Sequence, residues 1–113
     1  MNEVNEDSQA ASTQTHLITC VVQRGNGDAI SSAAIKARAG GATTFFARGT
    51  GARERLGLLG LAIVPEKEVV MILCKQEESS RIFDAVSAAG KLDVPGMGVA
   101  FITPVMRVSG GNF

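Results

Sequence analysis

Two stretches of this chain carry residue types that could hold an anion. The first is Arg48-Gly49-Thr50-Gly51-Ala52-Arg53-Glu54-Arg55. Glycines let backbone N–H groups turn toward an anion without a Cβ in the way, and arginines add forked donors for phosphate. The second is Gly90-Lys91-Leu92-Asp93-Val94-Pro95-Gly96-Met97-Gly98, with three glycines and a lysine. Neither matches the Walker pattern or the dinucleotide fingerprint. Taken singly, each reads more readily as an ordinary glycine-rich turn. If the two meet across a subunit boundary, they make one phosphate-binding cleft.

Other chemistry is thinly supplied. The one histidine, His16, has no partner in sequence and reads as a solvated strand-end residue. Ser31, Ser32, Ser79 and Ser80 lie in or beside helices, where capping and solvation account for them. Glu77 and Glu78 open a helix, where acids suit the dipole. Cys20 and Cys74 sit inside apolar runs and read as buried, reduced thiols; there is no Cys-x-x-Cys pair and no zinc set. With no base and no metal cluster, the sequence argues against an enzyme, a slow phosphohydrolase being the form one would take. The apolar run Leu56-Gly57-Leu58-Leu59-Gly60-Leu61 reads as a buried lead into a strand, or as a mobile segment that docks a partner.

The elements that must position these loops follow from periodicity and breakers. A polar stretch at residues 1–15 reads as a disordered tail. His16 to Gln23 is a β-branched strand. Asp28 reads as the cap of a helix from Ala29 to Ala39, with Ile30, Ala33, Ala34 and Ala37 on one face and a left-handed glycine stop at Gly40-Gly41. Ala42 to Arg48 is a second strand. A loop spans Gly49 to Gly60. Leu61 to Val64 and Glu68 to Cys74 are short strand runs, with Pro65-Glu66-Lys67 a tight turn between them. Glu77 to Ala89 is a second helix, striped by Ile82, Phe83, Val86 and Ala89 and stopped by Gly90. Val99 to Val108 is the last strand, with Pro104 at an edge or bulge. The order is βαββαβ: an α+β, ferredoxin-like fold with a four-stranded antiparallel sheet and both helices on one face. The bare sheet face is a surface that a trimer would bury around its axis.

Composition bounds the partners. The chain has 113 residues, 45% hydrophobic, with 11 basic and 11 acidic residues. That suits one domain, helped by oligomerisation. A zero formal charge and the lack of Trp and Tyr argue against nucleic acid or an anionic membrane. No apolar stretch is long enough to span a bilayer, and the polar start carries no export signal, so a cytoplasmic location is expected.

At these residues the chain resembles the PII signal-transduction superfamily, in its PII-like branch. Arg48-Gly49-Thr50-Gly51 resembles the start of the family's T-loop. Gly90-Lys91 through Gly98-Val99-Ala100-Phe101 resembles its B-loop and the strand after it, and the likeness runs from about Leu17 to Gly110. The resemblance implies a domain over residues 16–110, a short tail at 111–113 and a homotrimer. It implies an adenine nucleotide in each inter-subunit cleft as a regulatory ligand, with no other cofactor. Gly49, Thr50 and Gly51 would line the base and ribose; Gly90, Lys91, Gly96, Met97 and Gly98 would cradle phosphates. Arg53, Lys67, Val99 and Arg107 complete the candidate set, Lys67 standing roughly where the family has a lysine that reaches phosphate or 2-oxoglutarate. Its bland alternative is a solvated turn lysine.

Departures from the family pattern shape the expected ligand. The segment after Gly51 is short for a T-loop, and no tyrosine is present to be modified. Val99 replaces a B-loop lysine, and Arg107-Val108-Ser109 replaces paired C-terminal arginines. Fewer cations weaken triphosphate binding, so ADP or AMP is expected over ATP, with a small anion such as bicarbonate as a second ligand. The signal would pass through the loop to a transporter or a carbon-metabolism protein, as in carboxysome-associated PII-like proteins. The competing reading is a structural assembly module of the same fold without ligand sensing.

Overall fold

The computed structural model describes residues 14–49 and 66–113. The tail up to residue 13, the loop from Thr50 to Gly60 and the run Leu61 to Val64 lie outside the described residues. Six elements follow in order: β1 (Thr15–Gln23), α1 (Gly27–Lys36), β2 (Thr43–Arg48), β3 (Glu66–Lys75), α2 (Gln76–Ala89) and β4 (Gly98–Pro104). The sheet order is β2-β3-β1-β4, and every pairing is antiparallel. This is the expected βαββαβ architecture, with β1 and β3 central and β2 and β4 at the edges.

Alternation along the strands decides which side chains are inside. Ile18, Cys20 and Val22 of β1 and Val70, Ile72 and Cys74 of β3 point to one face, where they meet Ile30 and Ala34 of α1 and Ile82 and Val86 of α2. All ten are buried. Each fully buried isoleucine here contributes about 1.5–3 kcal/mol. The opposite face carries Leu17, Val21, Phe45, Val69, Met71, Leu73, Val99 and Phe101 in cross-strand register, and no helix among the described residues covers it.

Several local expectations need correction. Asp28 does not cap α1: Asn26 is the N-cap, without a side-chain hydrogen bond, and Asp28 lies in the first turn. The helix ends at Lys36, and its left-handed residue is Arg38 (φ 70°), not a glycine. In α2 it is Lys91 (φ 52°), while the C-cap Gly90 is right-handed. Gly90 is small for a packing reason, since a Cβ there would crowd Leu92 and Ile30 at 3.2–3.3 Å. Both helix ends are Schellman motifs. Arg38 N donates to Ile35 O and Ala39 N to Ala34 O; Lys91 N donates to Ala88 O and Leu92 N to Ser87 O.

The Glu66-Lys67 part of the expected turn is strand, because β3 starts at Glu66 and pairs Arg48 with Glu66 and Ala47 with Lys67. The last strand stops at Pro104 rather than Val108, on the β4 edge where a missing N–H costs no ladder bond. Ordered structure starts before His16: Thr15 opens β1, and Gln14 O accepts a bond from Gln76 N at 2.7 Å.

Candidate functional site

The ends of the strands collect the site residues. Gln23 closes β1, Arg48 closes β2, Glu66 opens β3 and Gly98 opens β4, so both glycine-rich loops leave the same end of the sheet. They leave from opposite edges, three strand spacings or about 14 Å apart. On the uncovered face a row of residues joins them. Gly49 lies beside the Lys67 side chain, its Cβ position 3.7 Å from Lys67 Cγ. Lys67 is opposite Gln23 in the ladder. Gln23 Nε2 donates to Gly96 O at a long 3.4 Å.

Lys67 is therefore a buried strand lysine and not a solvated turn residue. Gln23 has no signature in the sequence, because an amide at a strand end looks like any polar strand terminus.

The second loop is more tightly folded than a simple cradle. Its amides at Lys91, Leu92, Val94 and Met97 already donate to Ala88, Ser87, Lys91 and Val94 carbonyls. Pro95 has no N–H. Asp93 and Gly96 are the loop amides outside these bonds. Gly96 has φ 87° and Gly98 φ 141°, and a Cβ on Gly98 would collide with the Val21 carbonyl. Gly98 is thus required for the β1–β4 pairing itself, so a bulky residue there tests the fold before it tests a ligand. Val99 is half exposed on the uncovered face, opposite Val21.

Not all candidates come together within one chain. Thr50, Gly51 and Arg53 lie outside the described residues. Arg107 is at the far end of the sheet, two residues after Val105, whose N–H donates to Thr15 O at 2.9 Å. Eight residue steps of β1 put about 26 Å between that end and Gln23.

On the helix side of the same corner sits a feature that sequence reasoning missed. Glu68 is buried at 7% exposure, and its Oε1 accepts bonds from Gly25 N at 2.5 Å and Gly27 N at 3.3 Å. Gly27 has no room for a Cβ beside this carboxylate. The two glycines of Arg24-Gly25-Asn26-Gly27 thus hold an internal anion at the start of α1. Arg24 pairs with Glu66 at 2.5 Å and lies over the Phe46 ring, 5.2 Å from its centroid. The hydrogen bond that Arg24 donates to Glu66, and then the charge of Glu66, raises the Arg24 pKa further.

His16 is half-buried, and its Nδ1 is 2.9 Å from Ser79 Oγ. Ser79 gives its own proton to Gln76 O at 2.8 Å, so His16 must be the donor in the pair. A serine hydroxyl held this way is not activated as a nucleophile, and the pair ties β1 to α2. His16 is partnered, contrary to the reading of a solvated strand end. Burial pushes the Cys20 thiol up to about 11 and also raises Cys74, with Glu78 adding to the second shift and Arg81 opposing it. Both cysteines are free and buried. Among the described residues there is no group of His, Cys, Asp or Glu able to hold a metal, and no helix long and apolar enough to cross a membrane.

No protein-family model matches the chain, and no curated protein matches it. Among solved structures it is similar to Arabidopsis thaliana PII bound to citrate, at 19% identity and a TM-score of 0.65, over 82% of this chain and 78% of that one. At that identity the likeness is one of fold, and it establishes that this chain folds as PII proteins do.

Proposed function

We propose that the chain is a PII-type regulatory protein that assembles as a trimer and binds an adenine nucleotide where two subunits meet. One observation carries the reading: the row Gly49–Lys67–Gln23–Gly96 spans one end of the uncovered sheet face and joins two loops that leave opposite edges. A head-to-tail ring sets one edge of a subunit beside the unlike edge of the next. That arrangement brings the Gly49 side of one chain to the Gly96 side of its neighbour. The uncovered apolar face supplies the surface that such a ring buries.

In this reading Lys67 and Lys91 meet phosphates, and Gly49, Thr50 and Gly51 border the base. Gly90, Arg53, Met97, Gly98, Val99 and Arg107 surround the cleft, Arg107 from a different subunit. The short supply of cations favours ADP or AMP over ATP. A small anion such as bicarbonate is the second ligand, and the loop after Gly51 carries the signal to a transporter or metabolic protein in the cytoplasm. The role is regulatory rather than catalytic.

Calorimetry of the full chain with AMP, ADP and ATP tests the reading. Saturable binding at one site per chain, tightest for AMP or ADP, is expected. An absence of heat at millimolar concentrations of all three nucleotides overturns it. Light scattering run beside it separates the alternative: an oligomer indifferent to nucleotide is an assembly module.

A further inference from the structure

Lys67 lies between two carboxylates that are tied to the same turn. Side chains alternate along β3, so Lys67 faces the uncovered side while Glu66 and Glu68 face the helix side. The turn Arg24-Gly25-Asn26-Gly27 joins β1 to the start of α1 and reaches both acids. Arg24 N donates to Glu66 O at 3.3 Å, and the Arg24 guanidinium donates to Glu66 Oε2. Gly25 N and Gly27 N both donate to Glu68 Oε1. Arg24 also lies over the ring of Phe46, the residue opposite Glu68 on β2, so the turn touches both strands beside Lys67.

This grip falls where the ladder ends. Arg48 and Glu66 form the last pair of β2 with β3, and strand ends open easily when nothing else holds them. The turn itself is fixed. Val22 before it and Ile30 after it are fully buried, and Asn26 N closes it on Gln23 O at 3.1 Å. A Cβ on Gly27 would strike the Glu68 carboxylate, so turn and strand meet closely. On the other side of β3, Lys67 is 9% exposed and its stem lies against Gly49. A buried stem cannot swing to make up for a displaced backbone, so the ammonium goes where residues 66–68 put it.

We propose that the turn at residues 24–27 is a positioning element: by holding Glu66 and Glu68 from the helix side, it fixes where Lys67 presents its ammonium to a bound nucleotide. The role rests on the nucleotide-binding reading above. Arg24, Glu66 and Glu68 stay on the helix side of the sheet and act through Lys67 alone.

The test compares the full chain with the double variant Arg24→Gln/Glu66→Gln, which removes the ion pair without changing net charge. Both side chains are about half exposed, so the pair adds little to global stability and the variant should fold. Hydrogen exchange is read first, without nucleotide. The Lys67 and Glu68 amides should exchange about threefold faster, while the Ile82 and Val86 amides of α2 keep their rates. Calorimetry with ADP follows, and affinity should fall by about threefold, the scale of an exposed ion pair. In a Lys67→Ala background the same double change should leave ADP affinity unaltered. Arg24→Lys, which can still pair with Glu66, should stay closer to the wild type. Unchanged exchange at Lys67, unchanged ADP affinity, or an equal loss in the Lys67→Ala background each overturns the proposal. A wild-type chain that binds no nucleotide overturns the functional reading and this role together. The exchange measurement tells that case apart, because faster exchange at Lys67 needs no ligand.

Discussion

Lys91 occupies a backbone conformation that its side chain disfavours. So does Arg38, at the matching position of the other helix. The sequence marks the end of the second helix through Gly90, but it carries the first helix three residues too far, to Gly40-Gly41, and assigns the left-handed position there to glycine. The structure puts a cation there instead, secured by two Schellman bonds and by Ala39 and Leu92 packing on the core. A left-handed non-glycine residue costs about 1–2 kcal/mol, and glycine returns part of that gain as unfolded-state freedom. Lys91→Gly and Arg38→Gly should therefore each stabilise the protein by about 0.5–1 kcal/mol, read as a higher urea midpoint. Their effects on ADP affinity should differ. Lys91→Gly weakens binding if the lysine meets phosphate; Arg38→Gly, at the far end of its helix, leaves binding unchanged. Equal ADP affinities in the two variants would remove Lys91 from the site.

Among the elements, the join between β3 and the start of α1 is the least readable in sequence. Glu68 and Gly25 are 43 positions apart, and nothing local announces that a buried carboxylate will hold two loop amides. Strand periodicity found the core of β3 because Val70, Ile72 and Cys74 alternate. It missed the first two residues because Pro65-Glu66-Lys67 has turn chemistry, and only the cross-strand partners Arg48 and Ala47 draw Glu66 and Lys67 into the ladder. Truncating Glu68 leaves Gly25 and Gly27 N–H groups without their acceptor. Glu68→Ala should then cost about 2–3 kcal/mol, while Glu68→Gln, which keeps an acceptor oxygen, should cost less. Chemical denaturation reads both. A loss under about 0.5 kcal/mol for Glu68→Ala would mean that the carboxylate does not secure the loop.

For the whole molecule, the βαββαβ order and the single-sided placement of helices were legible from periodicity and glycine breaks. The site was legible only in part. Glycine and lysine types flagged the two loops, but the bridging Gln23 depends on register, and Arg107 lies at the far end of the sheet from the other candidates. In the proposed trimer the uncovered face is the interface. Phe101 is 44% exposed there in one chain, so Phe101→Asp should leave the subunit folded and convert a trimer to monomers in sedimentation velocity. Retention of the trimer would place the interface elsewhere.

The two thiols lend this architecture a chemical clock. Cys20 and Cys74 face the same interior on neighbouring strands, yet their ladder partners, Val70 and His16, set them four positions apart. That is about 13 Å along the strands, too far for a disulfide to close. Deep burial and a raised pKa keep both sulfurs protonated and shielded at neutral pH. Both point into the layer beneath the two helices, so an alkylating reagent reaches Cys20, in the middle of β1, only after helices and sheet separate, and its rate of modification times the opening of that core.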